Sequence, residues 1–358
     1  MKRRDFLKMS ATVLAGATAG RAFGSASACP ARPKQAGAES LRSLAARRGL
    51  LIGSACGWYY VQGNPACREI LAREFNCTVA ENDLKMEAIQ PVRGQFDFSR
   101  TDALMTFAAQ HDMQVRAVPL VWFDGLPDWA KDKTFCRNEA IDILREHIFA
   151  VMKRYRGQIF AWDVVNEALS DENKVLREDC TWFRSIGTDY LDVSYHLAHE
   201  ADPKTELFIN DYWIEGKTER SDRCYHLLKE LLGRGVPIHG LGLQYHVQAR
   251  TAPSSADVSE NLKRFMDLGL KIHITELDVW VPKNATEADF RQQADVYRGV
   301  FKMALALKLP AVVMWGFTDR YSWVPATSNG EFDHALIFDQ DCRPKPAYEA
   351  IRSVLREG

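Results

Sequence analysis

Residues 159–167 read Ile159-Phe160-Ala161-Trp162-Asp163-Val164-Val165-Asn166-Glu167, an apolar run that stops on two polar residues. Comparable short runs recur at 50–55, 77–80, 114–122, 206–209, 238–245, 270–275 and 311–315. Longer amphipathic stretches lie between them. Ile141, Leu144, Ile148, Val151, Met152 and Tyr155 keep one apolar face before Gly157, which reads as a helix and its stop. Leu227, Leu228, Leu231 and Leu232 repeat the pattern, and Thr286-x-x-Asp289 reads as a capping box opening a helix that ends near Leu307. Eight strands alternating with helices predict an α/β fold, a single closed (β/α)8 TIM barrel. An open doubly wound sheet is the rival, but no glycine-rich phosphate loop follows the first run. Gly240-x-Gly242 lacks the third glycine of a nucleotide fingerprint.

The chain has 358 residues, of ordinary globular composition, and a net charge of −1. Residues 1–28 hold Lys2, Arg3, Arg4, Lys8 and Arg21 against Asp5 alone, a net of +4 that leaves −5 for the rest. A mildly acidic body disfavours nucleic acid as a partner. Paired arginines, the weakly hydrophobic run 9–20 and the small residues Ala26-Ser27-Ala28 resemble a twin-arginine export signal. The expected organisation is a signal over 1–28, a flexible segment over 29–44 and one catalytic domain over 45–358. The mature protein is expected to be periplasmic or secreted, monomeric and without stable membrane association. Lipid attachment at Cys29 is disfavoured because Ala26, not a leucine, stands three residues before it. The eight cysteines show no C-x-x-C spacing, and His196-x-x-His199-Glu200 matches no zinc-protease order, so neither a metal nor a cofactor is expected.

Catalytic groups in such barrels sit at the C-terminal ends of the strands. The polar residues ending these runs are Glu81-Asn82, Asn166-Glu167, Asn210-Asp211, Gln244 with His246, Glu276 with Asp278, and Trp315 with Asp319. Two glutamates facing each other across a barrel mouth suit glycoside hydrolysis. One protonates the leaving oxygen while the other attacks the anomeric carbon. Asp278 lies two residues beyond Glu276, hence on the same strand face if the strand continues, and the His246 imidazole could bridge the two. Gln244 shares a strand face with His246, which favours a cleft-facing contact.

Trp162-Asp163-Val164-Val165-Asn166-Glu167 and Ile274-Thr275-Glu276-Leu277-Asp278 resemble the two signature strands of glycoside hydrolase family 10, the xylanase family. Glu81-Asn82-x-x-Lys85, Leu120-Val121-Trp122, Asn210-Asp211-Tyr212, Gln244-x-His246 and Trp315-Gly316-x-Thr318-Asp319-x-Tyr321-Ser322-Trp323 extend the likeness over nearly the whole mature chain. The resemblance implies endo-acting, retaining hydrolysis of β-1,4-xylan, with Glu167 as acid/base and Glu276 as nucleophile. It also implies that Asn166 donates to the sugar 2-hydroxyl, that Glu81, Asn82 and Lys85 grip sugar, and that Trp122, Trp315 and Trp323 offer ring faces. Trp58, Trp129, Trp162 and Trp280 read as packing.

The sequence departs from the family pattern in several places. Val118 and Phe123 replace histidines, Met86 a tryptophan, Gly125 a glutamine and Trp213 an asparagine. Val118 cannot hydrogen-bond a hydroxyl, so the site is expected to favour a substrate presenting apolar surface there, with weaker action on plain linear xylan. The alternatives are a retaining glycanase for another β-linked polysaccharide, such as a bacterial exopolysaccharide, and a glycan-binding relic that does not cut.

Overall fold

The runs form strands β1 (Leu51–Cys56), β2 (Cys77–Ala80), β3 (Gln114–Ala117), β4 (Ile159–Asn166), β5 (Glu206–Asp211), β6 (Gly240–Leu243), β7 (His246–Gln248), β8 (Lys271–Pro282), β9 (Ala311–Met314) and β10 (Phe332–Asp333). This is a computed structural model, and it describes residues 39–357 apart from 173. β1 to β6, β8 and β9 pair in parallel in a continuous order, and β9 pairs with β1 as well as β8, closing the barrel. β7 continues the line of β6 and pairs with β8 in the register His246↔Asp278, while β10 is a short antiparallel addition to β8.

Several strands differ in length from the apolar runs that announced them, β3 and β8 most. β3 ends at Ala117 because Pro119 has no N–H to give a ladder. The chain nonetheless stays beside β4, with Leu120 N–H donating to Asp163 O and Val121 N–H to Val164 O. β8 runs on to Pro282, past the run at 270–275, because the polar residues Glu276 and Asp278 are partnered within the fold. The helix over Glu287–Ala306 opens with the capping box of Thr286 and Asp289.

The helix Leu41–Arg47 corrects the expectation of a flexible segment reaching residue 44. Ser40 caps it, and Leu41 and Leu44 are fully buried. Leu41 N–H and Tyr348 Oη both donate to the Glu74 carboxylate, at 2.9 and 3.1 Å, so the first and last helices among the described residues share one anchor. The ordered domain therefore begins before residue 45. The expected export signal over 1–28 and Cys29 lie outside the described residues.

The barrel interior is packed, partly with charge. Arg116 on β3 forms an ion pair with Asp163 on β4 and lies 5.3 Å from the Phe208 ring centroid, while His273 stacks on the same Phe208 ring at 4.3 Å. Gly240 makes this possible, since a Cβ there would lie 2.2 Å from the Phe208 ring. Gly242 does the same for Asn210, whose amide oxygen would be 2.4 Å from an added Cβ. The glycine pair thus serves packing.

Arg116 and Asp163 are 1 % and 2 % exposed, so removing one partner leaves a charge that neither water nor protein compensates. Arg116→Met is expected to destabilise the fold by about 3–5 kcal/mol, and Arg116→Met with Asp163→Leu by clearly less. Urea denaturation of both variants measures this; equal losses would mean that the pair's charge is not what matters.

Candidate active site

Glu167 stands one residue beyond β4, with a left-handed backbone (φ 56°) that aims the residue after Asn166 across the barrel mouth. A non-glycine residue held there is a strained position, maintained by its neighbours. Glu167 is almost enclosed. Gln244 Nε2 donates to its Oε1 at 2.8 Å and Trp122 Nε1 to its Oε2 at 3.1 Å. Gln244 is therefore a buried partner of Glu167, correcting the expectation of an open cleft contact. It is 1 % exposed because the chain between β6 and β7 folds it inward.

Glu276 sits within β8. Asn210 Nδ2 donates to its Oε1 at 2.7 Å and lies 2.8 Å from the Asn166 side-chain oxygen, so one amide spans from the β4 end to the β8 carboxylate. Thr275 Oγ1 donates to Asn210 Oδ1 at 2.6 Å and holds that amide in orientation. Asn166 itself is nearly buried among Asn210, Gln244 and the Trp122 indole.

The His246 imidazole bridges the two carboxylates of β8, with Nε2 3.1 Å from Glu276 Oε2 and Nδ1 2.9 Å from Asp278 Oδ1. Asp278 also accepts from Trp280 Nε1 at 2.6 Å and Trp323 Nε1 at 2.7 Å. Trp280, expected only to pack, is one of its donors. Burial disfavours charge on His246, but Asp278 and then Glu276 outweigh it and raise the imidazole to about 9. At neutral pH a cation therefore faces Glu276.

Lys85 Nζ donates to Asn82 Oδ1 at 2.7 Å and lies 4.8 Å from the Trp122 ring centroid. Burial of the Glu81 carboxyl, opposed by Lys85, raises it to about 7. Glu81, Asn82, Lys85 and Trp122 thus form one flank that runs directly to Glu167. Trp122 is less a free platform than a wall around Glu167, since its indole N–H donates to that carboxyl and its carbonyl accepts from Trp182 Nε1 at 3.0 Å. Trp323 packs against His246 at 4.8 Å between centroids, and Trp315 is half-buried beyond β9.

The departures from the family pattern acquire physical meanings. Val118 is 2 % exposed, and the Phe123 ring is covered by the Arg177 guanidinium at 4.0 Å. Neither offers the open apolar surface expected of it. Met86 is a core residue. Gly125 has φ 62°, and a Cβ there would lie 3.0 Å from the Trp122 ring. Trp213 is the departure that faces solvent, 52 % exposed and edge-on to Tyr212.

Asn210 and Arg177 were not singled out as site residues from the sequence. Asn210 is one of the polar strand ends, but nothing in its position alone says that it meets both glutamate strands. Arg177 Nε lies 3.4 Å from Glu167 O, and its guanidinium reaches Asp171 and Tyr212 at 2.9 and 3.0 Å, fixing the loop after β4. Among the described residues no group of three or more His, Cys, Asp and Glu side chains could hold a metal ion.

Two carboxylates at the mouth of a (β/α)8 barrel, one enclosed by neutral donors and one faced by an imidazolium, define a glycoside hydrolase. The chain belongs to glycosyl hydrolase family 10, whose family model matches residues 40–354. It is 37 % identical over 321 residues to endo-1,4-beta-xylanase B of Thermotoga neapolitana, covering 88 % of this chain and 92 % of that one. Native xylanase 10B of Thermotoga maritima superposes with a TM-score of 0.85 at 37 % identity, over 89 % of this chain and 98 % of that one. Xylanase 10B of Thermotoga petrophila, solved in complex with xylobiose, gives 0.85 at 36 % identity over 89 % and 97 %.

His246 is raised above its ordinary value of 6.5, so the stability its charge contributes is complete below about pH 6.5 and fades as pH rises through about 9. The gap in thermal midpoint between wild type and His246→Ala should therefore narrow over that window. kcat/KM should also fall in the variant, which loses the imidazole 3.1 Å from Glu276 Oε2, and its pH profile should change with it. Midpoints and pH–rate profiles with the same shape in both proteins would leave His246 a merely structural role.

Proposed function

We propose that this protein is an endo-β-1,4-xylanase that works by double displacement with retention, Glu167 serving as acid/base and Glu276 as nucleophile. The observation that carries the reading is the difference in surroundings between the two carboxylates. Glu276 is held by Asn210 Nδ2 on one carboxylate oxygen and by the His246 imidazole on the other, which orients it for attack as a nucleophile. Glu167 is held by the Trp122 indole and the Gln244 amide, which fix its carboxyl at the barrel mouth where a proton must pass to the leaving oxygen and then be taken from water. Relatives named as endo-1,4-beta-xylanases over most of the chain, and a neighbour solved with xylobiose, support xylan as the substrate. The burial of Val118 and the covered face of Phe123 weigh against the alternative built on an apolar subsite there.

The test follows linear β-1,4-xylan by proton NMR and by reducing-end release. The first-formed product should be the β-anomer, released from internal bonds, and Glu276→Ala should lower kcat on the order of 10³-fold or more. An α-anomer formed first, or a fully active Glu276→Ala variant, would overturn the assignment. Cleavage of a bacterial exopolysaccharide or cellulose but not of xylan would move the activity to another β-glycan.

We further propose that the chain is exported by a twin-arginine route and acts outside the cytoplasm. Arg3-Arg4, the weakly hydrophobic run and Ala26-Ser27-Ala28 support this reading. Arg3→Lys with Arg4→Lys should retain the protein, uncleaved, in the cytoplasm of a bacterial host. Unchanged export of that variant would refute the route.

A further inference from the structure

We infer that Cys67 and Cys342 form a disulfide that staples the first βα unit of the barrel to the segment following its last strand. The two Sγ atoms are 3.5 Å apart across 275 residues of sequence. Cys67 is buried in the first turn of the helix Pro65–Glu74, while Cys342 is half-exposed in a tight turn with φ 60°. Both positions are fixed by other bonds. Cys67 N–H donates to the capping Asn64 Oδ1 at 3.2 Å, and Asn64 Nδ2 donates to Tyr321 Oη at 3.1 Å. Cys342 N–H donates to Asp339 O, and Thr318 Oγ1 donates to the same carbonyl at 2.7 Å. The thiols therefore meet on fixed supports along one seam, close enough that a small movement of either side chain would bring them to bonding distance.

The chemistry favours attack by Cys342. A hydrogen bond from the Cys67 thiol, with Thr318 and the Arg320 guanidinium nearby, holds Cys342 below the usual thiol range, while the same partnership raises Cys67. A thiolate that solvent reaches is the competent nucleophile in thiol–disulfide exchange. The Cys342 thiolate attacks a small external disulfide such as oxidised glutathione, forming a mixed disulfide and releasing one glutathione thiolate. Cys67 then loses its proton to solvent and attacks the Cys342 sulfur, releasing the second. Two protein thiols are oxidised to one disulfide, and glutathione disulfide is reduced to two glutathiones.

The link would close a loop spanning most of the chain, which restricts the unfolded ensemble strongly. It also lies beneath the segment that carries Tyr321 and Trp323, whose indole reaches Asp278. The staple acts on stability, since neither sulfur touches the catalytic carboxylates.

The full-length protein, reduced and then exposed to oxidised glutathione under native conditions, should be alkylated and digested without reduction. The expected result is one peptide pair joining Cys67 to Cys342. The thermal midpoint should rise by a few degrees and fall back on adding dithiothreitol. Cys67→Ser and Cys342→Ser should each abolish the link and the redox-dependent shift while keeping xylan hydrolysis within about twofold. If Cys67→Ser fails to fold because its site is buried, Cys342→Ser in its half-exposed turn carries the test. Both thiols still open to alkylation, a glutathione adduct that never resolves, pairing with Cys136 instead, or a link without a midpoint shift would each overturn the inference.

Discussion

The Asn210 side chain is the contact on which the candidate site depends. Its amide reaches the Glu276 carboxylate and the Asn166 side chain at once, so the relative placement of the β4 and β8 ends passes through one planar group. That group fits only because β6 presents Gly242 opposite it, and Thr275 fixes its rotation. Close packing converts such a small allowance of volume into catalytic geometry. A methyl group at Gly242 would compete for the space of the amide oxygen, and interiors at crystal-like density have no slack to absorb it.

Charge is distributed with the same economy. Arg116 and Asp163 neutralise each other at the barrel's centre, away from the mouth. Nearer the mouth the balance is deliberately unequal. Glu276, His246 and Asp278 form a chain of two carboxylates around one imidazole, and the indoles of Trp280 and Trp323 satisfy Asp278. Asp278 thereby acts on Glu276 at one remove, through the imidazole. It stabilises the imidazolium that faces Glu276. Glu167, by contrast, meets the neutral donors of Trp122 and Gln244.

The positions where this chain leaves its family's pattern show how replacement residues are absorbed. Met86 and Val118 went into the core, and Phe123 took on the Arg177 guanidinium as a stacking partner. Gly125 gave up a side chain in a left-handed turn beside the Trp122 ring, which lets the Lys85 stem and the indole lie together. These changes reshape the wall of the cleft while both glutamates and their immediate donors stay in place. Trp213, exposed beside Tyr212, is the change that leaves an aromatic ring in water.

The eight barrel strands, their alternation with helices and the location of the carboxylates were legible in the sequence, because period and polarity are local properties; the short β7 and β10 were not. An apolar run ending in Asn166-Glu167 places a glutamate at a strand's C-terminal end whatever surrounds it. The spacing of Glu276 and Asp278 likewise placed both on one face, and His246 was found between them. Where the strands stop was less legible. β3 gave way at Pro119, and β8 ran through polar residues because distant side chains satisfied them. Only the tertiary structure decided that Gln244 is buried on Glu167, that Asn210 joins two strands, that Gly240 and Gly242 exist to admit Phe208 and Asn210, and that Cys67 meets Cys342. Each of these joins residues far apart in the chain. Such contacts follow from barrel closure and from what fills the interior, neither of which a one-dimensional pattern of polarity records.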